Sequence, residues 1–388
     1  MKLLAYEVDK RSFLGVLNED ETWVYPVSAA GMEYRSMKEL IREAGQSEME
    51  MLDYISKKAP GDVNGAAPVE EIRIVSPIPE PDQDIICLGI NYLAHAEESA
   101  RFKKEAFSKP DQAVYFSKRV NRATDPGDGI PSHKELTSQL DYEAELAVIL
   151  KKDAKDVALE DVEDYIFGYT IMNDVSAREV QTAHRQWYFG KSLDGFTPLG
   201  PWIVTADSVE FPPKLRIQSR VNGELRQDSN TEQFIHGIAE VVSELSRGMT
   251  LKAGTIIATG TPAGVGMGFD PPRFLKPGDV VECVIEGIGT LKNLFVTAMQ
   301  ALENGDKDIV AKVSKDKNKI RKLQKQNNKA HMARIKKNTC SSDLTMQYSN
   351  MLYNIDRIAD NCVSISEEAM DNISFQKLYQ NNAEQDQS

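Results

Sequence analysis

Between Ile72 and Asn293 short apolar runs follow one another with turn residues between them, and this rhythm restricts the fold more than any other feature of the chain. The runs IRIV, IICLGI, AVYFSK, ELAVIL, YTIMNDV, PWIVT, LRIQSRVNG, TIIATG and DVVECVIEGIGTL have strand length, and turns such as DPGDG and KPGD separate them. A doubly wound parallel sheet would place a helix of some ten residues or more after nearly every strand. Few segments here, residues 231–248 among them, have helical spacing. The pattern therefore predicts a mixed α+β fold dominated by strands.

Upstream, LLAYEV, FLGVL and TWVYPV precede a helix expected around residues 36–59 and the loop KKAPGDVNGAAP. These predict a small β-rich N-terminal domain over residues 1–71, with a second domain over 72–294. After Asn293 the character changes. Glycine and proline almost vanish, and residues 312–337 carry eleven Lys and Arg against the single acid Asp316. Leu352, Ile355, Ala359 and Cys362 recur at helical spacing. Helices are expected at about 296–304, 305–337 and 342–371, making residues 295–388 an α-helical, three-helix tail.

The net charge of −13 speaks against nucleic acid as a partner, because backbone binding needs clustered Lys and Arg. Cys87, Cys283, Cys340 and Cys362 are scattered and form no CxxC pair, so neither a disulfide framework nor a structural zinc site is expected. The start MKLLAYEVDKRSF reaches Glu7, Asp9 and Lys10 before an apolar run of signal length accumulates. No stretch approaches the ~20 apolar residues of a membrane span. A cytoplasmic setting without membrane insertion is the expectation.

Three acids lie in segments that otherwise read as buried: Glu143 and Glu145 in DYEAELAVIL, and Asp174 in NDVSAR. In an extended run Glu143 and Glu145 share one face, while Tyr142, Ala144, Leu146 and Val148 share the other. An edge strand with a solvated acidic face would also carry ExE. Buried, three carboxylates require a cation, and hard oxygen ligands suit Mg²⁺, Mn²⁺ or Ca²⁺. Of the five histidines (His95, His133, His184, His236 and His331), His95 follows an apolar run where a strand gives way to a helix. Glu98 stands three residues on, placed to orient the imidazole if the segment is helical. Gly190, Lys191 and Ser192 spell GKS, but Arg185 occupies the position where a phosphate loop needs its first glycine. No nucleotide cofactor is expected.

The segments GINYLAHAEE, DYEAELAVIL, NDVSAREVQ, FGKSLDGFTPLGPWIV and TGTPAGVG, in this order, closely resemble the fumarylacetoacetate hydrolase family over about residues 72–293. That resemblance implies a β-roll or sandwich core. It also implies a divalent ion, usually Mg²⁺, on Glu143, Glu145 and Asp174, a water-activating dyad of His95 and Glu98, and Lys191 stabilising negative charge on the substrate. Gln181, Arg178, Thr261 and Tyr92 are the implied substrate contacts, with Lys118 a weaker candidate, and Arg178 could equally pair with a core carboxylate. The implied substrate is a small 2-oxo or β-dicarbonyl acid and the implied assembly a homodimer. The reading placed first is hydrolysis of a carbon–carbon bond in an acylpyruvate-like acid through an enolate held at the metal. Decarboxylation of 2-oxo acids, and isomerisation or hydration of 2-hydroxydienoic acids, fit the same site.

The tail, with LENGDKDIVAKV, the basic run and NMLYNIDRIADNCVSISEEA, resembles one half of a PhoU-like domain. That likeness implies acids four apart on a helix, as Asp356 and Asp360 are, although Asn361 stands where a histidine commonly follows. It suggests an interaction or dimerisation module. A reading of another class follows: a PhoU-like regulatory or transporter-associated protein whose β domain senses a metal or metabolite.

Overall fold

A computed structural model describes residues 1–9, 11–103, 106 and 111–293. The chain divides into residues 1–294 and 295–388, and the second unit lies outside the described residues. So do the three helices expected there, the pair Asp356 and Asp360, and His331.

The N-terminal region contains strands β1 (Lys2–Val8), β2 (Arg11–Leu17) and β3 (Trp23–Pro26), helices α1 (Met37–Glu43) and α2 (Gln46–Ser56), and short strands β4 (Ala67–Pro68) and β5 (Arg73–Val75). One helix expected around residues 36–59 is thus two. Ser36 caps the first by accepting from Glu39 N–H (3.2 Å), and extended Ala44 and Gly45 break the run. Next come β6 (Ile85–Gly89), α3 (Leu93–Lys103), β7 (Val114–Lys118), β8 (Leu140–Asp141), β9 (Ala144–Leu150), β10 (Ile166–Asn173), β11 (Ser176–Ala177), α4 (Arg178–Ala183) and α5 (Tyr188–Lys191). The last stretch holds β12 (Leu199–Thr205), β13 (Arg216–Val221), β14 (Glu224–Asn230), α6 (Ile238–Gly248), β15 (Ile256–Ala258), β16 (Val281–Ile285) and β17 (Gly289–Asn293).

Eleven strands form one sheet in the order β4-β3-β2-β1-β12-β10-β9-β15-β6-β7, with β5 added against β1. Only β15 and β6 pair in parallel within it. A second sheet runs β14-β13-β16-β17, and β8 pairs with β11. The β-dominated mixed fold is therefore observed.

Residues 1–71 extend the large sheet instead of closing on themselves. Lys2 and Leu3 pair with Val204 and Ile203 of β12. Leu3, Tyr25, Leu40 and Leu52 share one apolar core with Ile85, Ile149, Leu199 and Ile256. A unit of about seventy residues is marginal by itself, and sharing the neighbouring core adds buried apolar surface. The alternating runs looked the same from the sequence whether their partner was local or distant.

A fully buried strand at the centre of this sheet carries the acids. All seven residues of β9 are buried, between β10 and β15. An edge strand with a solvated acidic face is thereby excluded.

Candidate active site

Antiparallel register brings the three acids together. Met172 of β10 faces Glu145 of β9 and Asn173 faces Ala144, so the next residue, Asp174, comes level with Glu143. Asp174 N–H donates to the Glu143 carbonyl (2.9 Å), and the Asn173 side-chain oxygen accepts from Glu143 N–H (3.0 Å). One oxygen of each of Glu143, Glu145 and Asp174 lies within 4.8 Å of the others. All three residues are buried.

Three buried cations surround them. Lys191 Nζ donates to Glu143 Oε2 (2.8 Å) and Asp174 Oδ2 (2.6 Å). Lys118 Nζ donates to Asp174 Oδ1 (2.7 Å), to the Val175 carbonyl (3.0 Å) and to the Lys191 carbonyl. Arg178 bonds Asp141 Oδ2 through Nε (2.9 Å) and pairs with Glu143 Oε1 through Nη1 (2.7 Å). Four carboxylates, with Asp141 included, thus meet three cations.

Glu145 is left over. Among the described residues it has no Lys or Arg partner, and Gly260 N–H donates to its Oε2 (2.9 Å). Burial, then the charges of Asp174 and Glu143, push its pKa well above the usual carboxylate range. Glu143 goes the other way: burial opposes ionisation, but Lys191, Arg178 and His95 hold it below that range. Burial alone would lower the Lys191 pKa, yet Asp174 and Glu143 outweigh it and raise it above the usual lysine value. Lys118 is lowered, chiefly by burial. A buried carboxylate short of a cation, beside two more hard oxygen donors, is what a divalent ion would complete. The residues fit such an ion.

An open cleft of about 440 Å³ leads to this cluster. His95, Ser99, Glu143, Arg178, Gln181, Thr182, Lys191 and Thr261 line its polar side. Leu88, Ile90, Phe116, Trp187 and Met267 supply an apolar wall, in which the Phe116 and Trp187 rings meet edge to face at 5.4 Å. His95, 6% exposed, sits in the first turns of α3, and its Nδ1 lies 3.1 Å from Glu98 Oε2.

The expected site residues converge with one exception. Arg178 pairs with Asp141 and Glu143 and also lines the cleft, and its Nη2 is buried without a hydrogen-bond partner. Gln181 accepts from Arg178 Nη1 (3.0 Å). The Thr261 hydroxyl donates to the Ala144 carbonyl (2.9 Å) and accepts from Gln227 Nε2 (2.7 Å). Tyr92 lies apart from the cleft lining. It packs edge-on to Phe234 with its hydroxyl buried and unpartnered. Asp141, Gln227, Phe116 and Trp187 were missed, and only the position of Asp141 at the head of DYEAEL could have signalled it.

The family model described as fumarylacetoacetate (FAA) hydrolase C-terminal matches residues 84–296. A PhoU domain model matches residues 286–369. Among curated relatives, the oxaloacetate tautomerase YisK of Bacillus subtilis is 42% identical over 303 residues, covering 76% of this chain and 99% of the relative. A fumarylacetoacetate hydrolase structure from psychrophilic Exiguobacterium antarcticum has TM-score 0.63 and 38% identity, covering 76% of this chain and 99% of its own. A 5-carboxymethyl-2-hydroxymuconate delta-isomerase structure from Mycobacterium smegmatis has TM-score 0.58 and 30% identity, with 76% and 98% covered.

Proposed function

The chain belongs to the fumarylacetoacetate hydrolase family of enzymes, and we propose that it moves a proton on a small 2-oxo acid, interconverting keto and enol forms. The observation that carries this reading is the His95–Glu98 pair in the same cleft as Lys191, Arg178 and Glu143. His95 takes the proton from the carbon next to the 2-oxo group. Glu98 orients the ring and stabilises the imidazolium that forms. Electrons from the C–H bond move to the carbonyl oxygen, and the proton is returned to that oxygen in the enol. Lys191, with the unpartnered Arg178 Nη2, faces the negative charge that develops. A divalent ion held by Glu143, Glu145 and Asp174 would supply Lewis-acid polarisation of the 2-oxo group. Mg²⁺ or Mn²⁺ suits the donor set.

Two comparisons support placing proton transfer first: a relative named as a tautomerase spans 99% of its length on this chain, and a neighbour is named as an isomerase. Hydrolysis of a carbon–carbon bond is the second reading. The same dyad could activate water, and a neighbour is named as a hydrolase. A purely regulatory role is disfavoured, because His95, Lys191 and Glu143 line one cleft, with Glu98 against His95 and Asp174 against Lys191.

One panel separates these readings. The full-length protein is incubated in D₂O with oxaloacetate, an acylpyruvate and a 2-hydroxydienedioate and followed by proton NMR. Proton transfer predicts catalysed exchange at the carbon beside the 2-oxo group, faster than any cleavage. Acylpyruvate cleavage without such exchange would replace it with the hydrolase reading.

A further inference from the structure

Glu98 rests in a cradle made by the loop Gly264–Gly268, and that loop is held in place by two residues outside the cleft lining. Gly264 N–H donates to both Glu98 oxygens (3.0 and 3.3 Å). Gly268 lies so close that a Cβ there would fall 1.6 Å from Glu98 Oε1. Gly264 itself has φ +104°, and a Cβ would fall 2.0 Å from the Arg226 carbonyl. Only glycine satisfies both positions.

Two consecutive residues, Asp141 and Tyr142, tie this loop down. Asp141 Oδ1 accepts from Gly266 N–H (2.6 Å) and Tyr142 N–H (2.9 Å). Its Oδ2 accepts from Met267 N–H (3.0 Å) and Arg178 Nε (2.9 Å). The Tyr142 hydroxyl donates to the Gly264 carbonyl (2.9 Å). Asp141 and the Tyr142 ring are wholly buried, and neither lines the cleft. One short segment therefore presents Glu143 to the cation and, from its two preceding side chains, fixes the loop behind the dyad.

We propose that Asp141 and Tyr142 are positioning residues that set the His95–Glu98 pair by holding the Gly264–Gly268 loop against Glu98. Asp141 also joins that loop to Arg178, so the base and the cation facing the developing charge share one anchor. This inference rests on the reading of the dyad as the base. A displacement of about 1 Å can cost about 10²-fold in rate, so freeing the loop falls mainly on turnover.

A double-mutant cycle in the full-length protein tests it. Tyr142→Phe removes one hydroxyl, and Asp141→Asn removes the charge that gathers four donors. Each is expected to lower kcat by about 10–10²-fold with KM within about twofold. In a His95→Ala background Tyr142→Phe should lower the residual rate by less than about twofold, because residues acting through one group are not additive, while Asp141→Asn keeps only the part of its loss that passes through Arg178. Should Asp141→Asn fail to fold, Tyr142→Phe decides alone. Full multiplicative losses in the His95→Ala background, or a raised KM with unchanged kcat, would overturn the inference and leave the dyad intact. An unchanged rate in His95→Ala alone would overturn the dyad reading and the inference together.

Discussion

Replacing His95 with alanine is expected to lower kcat by about 10²–10⁴-fold, the range of a lost general base, with KM changed far less. The expectation follows from what the other described histidines do. His133 Nε2 and His184 Nδ1 are engaged by the Asp194 and Val180 carbonyls, and His236 lies outside this cleft. Among the described residues His95 is the only histidine of the cleft lining, and Glu98 is already within hydrogen-bond distance of its Nδ1. Glu98→Gln keeps the shape and removes the charge that stabilises imidazolium, so its loss should be smaller than that of His95→Ala. Steady-state kinetics on the substrate that turns over checks both. A His95→Ala enzyme with the parent kcat would mean that another group moves the proton.

Lys191→Met is expected to damage stability and turnover together. Methionine keeps a similar length and apolar stem but removes the ammonium between Glu143 and Asp174. Breaking a buried ion pair by deleting one partner costs about 3–5 kcal/mol, because the remaining charge stays buried and unpaired. In the proposed reaction the same ammonium faces the charge that develops on the substrate, and losing such a donor costs about 10²–10³ in kcat. Urea unfolding of the metal-free protein reads the first effect and steady-state kinetics the second. Arginine is no conservative replacement, since a planar fork cannot take the place of a point charge between two carboxylates. A Lys191→Met protein as stable and as active as the parent would contradict the role assigned to this residue.

Local pattern made the central strands legible. ELAVIL, YTIMNDV and TIIATG are β9, β10 and β15 in register. Their alternation said which acids share a face, but not that the strand lies at the centre of a sheet, since burial on the second face depends on strands from elsewhere in the chain. The N-terminal strands show the same limit: LLAYEV has the period of a strand, while Ile203, the partner of its Leu3, lies some two hundred residues away. Apart from its place at the head of DYEAEL, Asp141 gave no signal, for a related reason. Its partners are mostly backbone N–H groups, which leave no mark on residue type. Thr261 was recognisable as a site residue, yet its hydroxyl is engaged by Ala144 and Gln227, leaving its role in the cleft to surface and backbone.

The PhoU domain match begins at residue 286, within the span of the other family match, so the two overlap across β17. Among the described residues no helix is long and apolar enough to cross a membrane.

The central claim is that Glu143, Glu145 and Asp174 form a cradle for one divalent cation. Glu145 is the residue to change, because it has no Lys or Arg partner among the described residues and its replacement breaks no ion pair. Full-length protein is stripped with a chelator and titrated with Mn²⁺ by calorimetry, beside Glu145→Gln treated identically. The account predicts one ion per chain at the cradle in the parent and loss of that binding in Glu145→Gln, which stays folded. Equal Mn²⁺ binding by both proteins, or none by the parent, would contradict it.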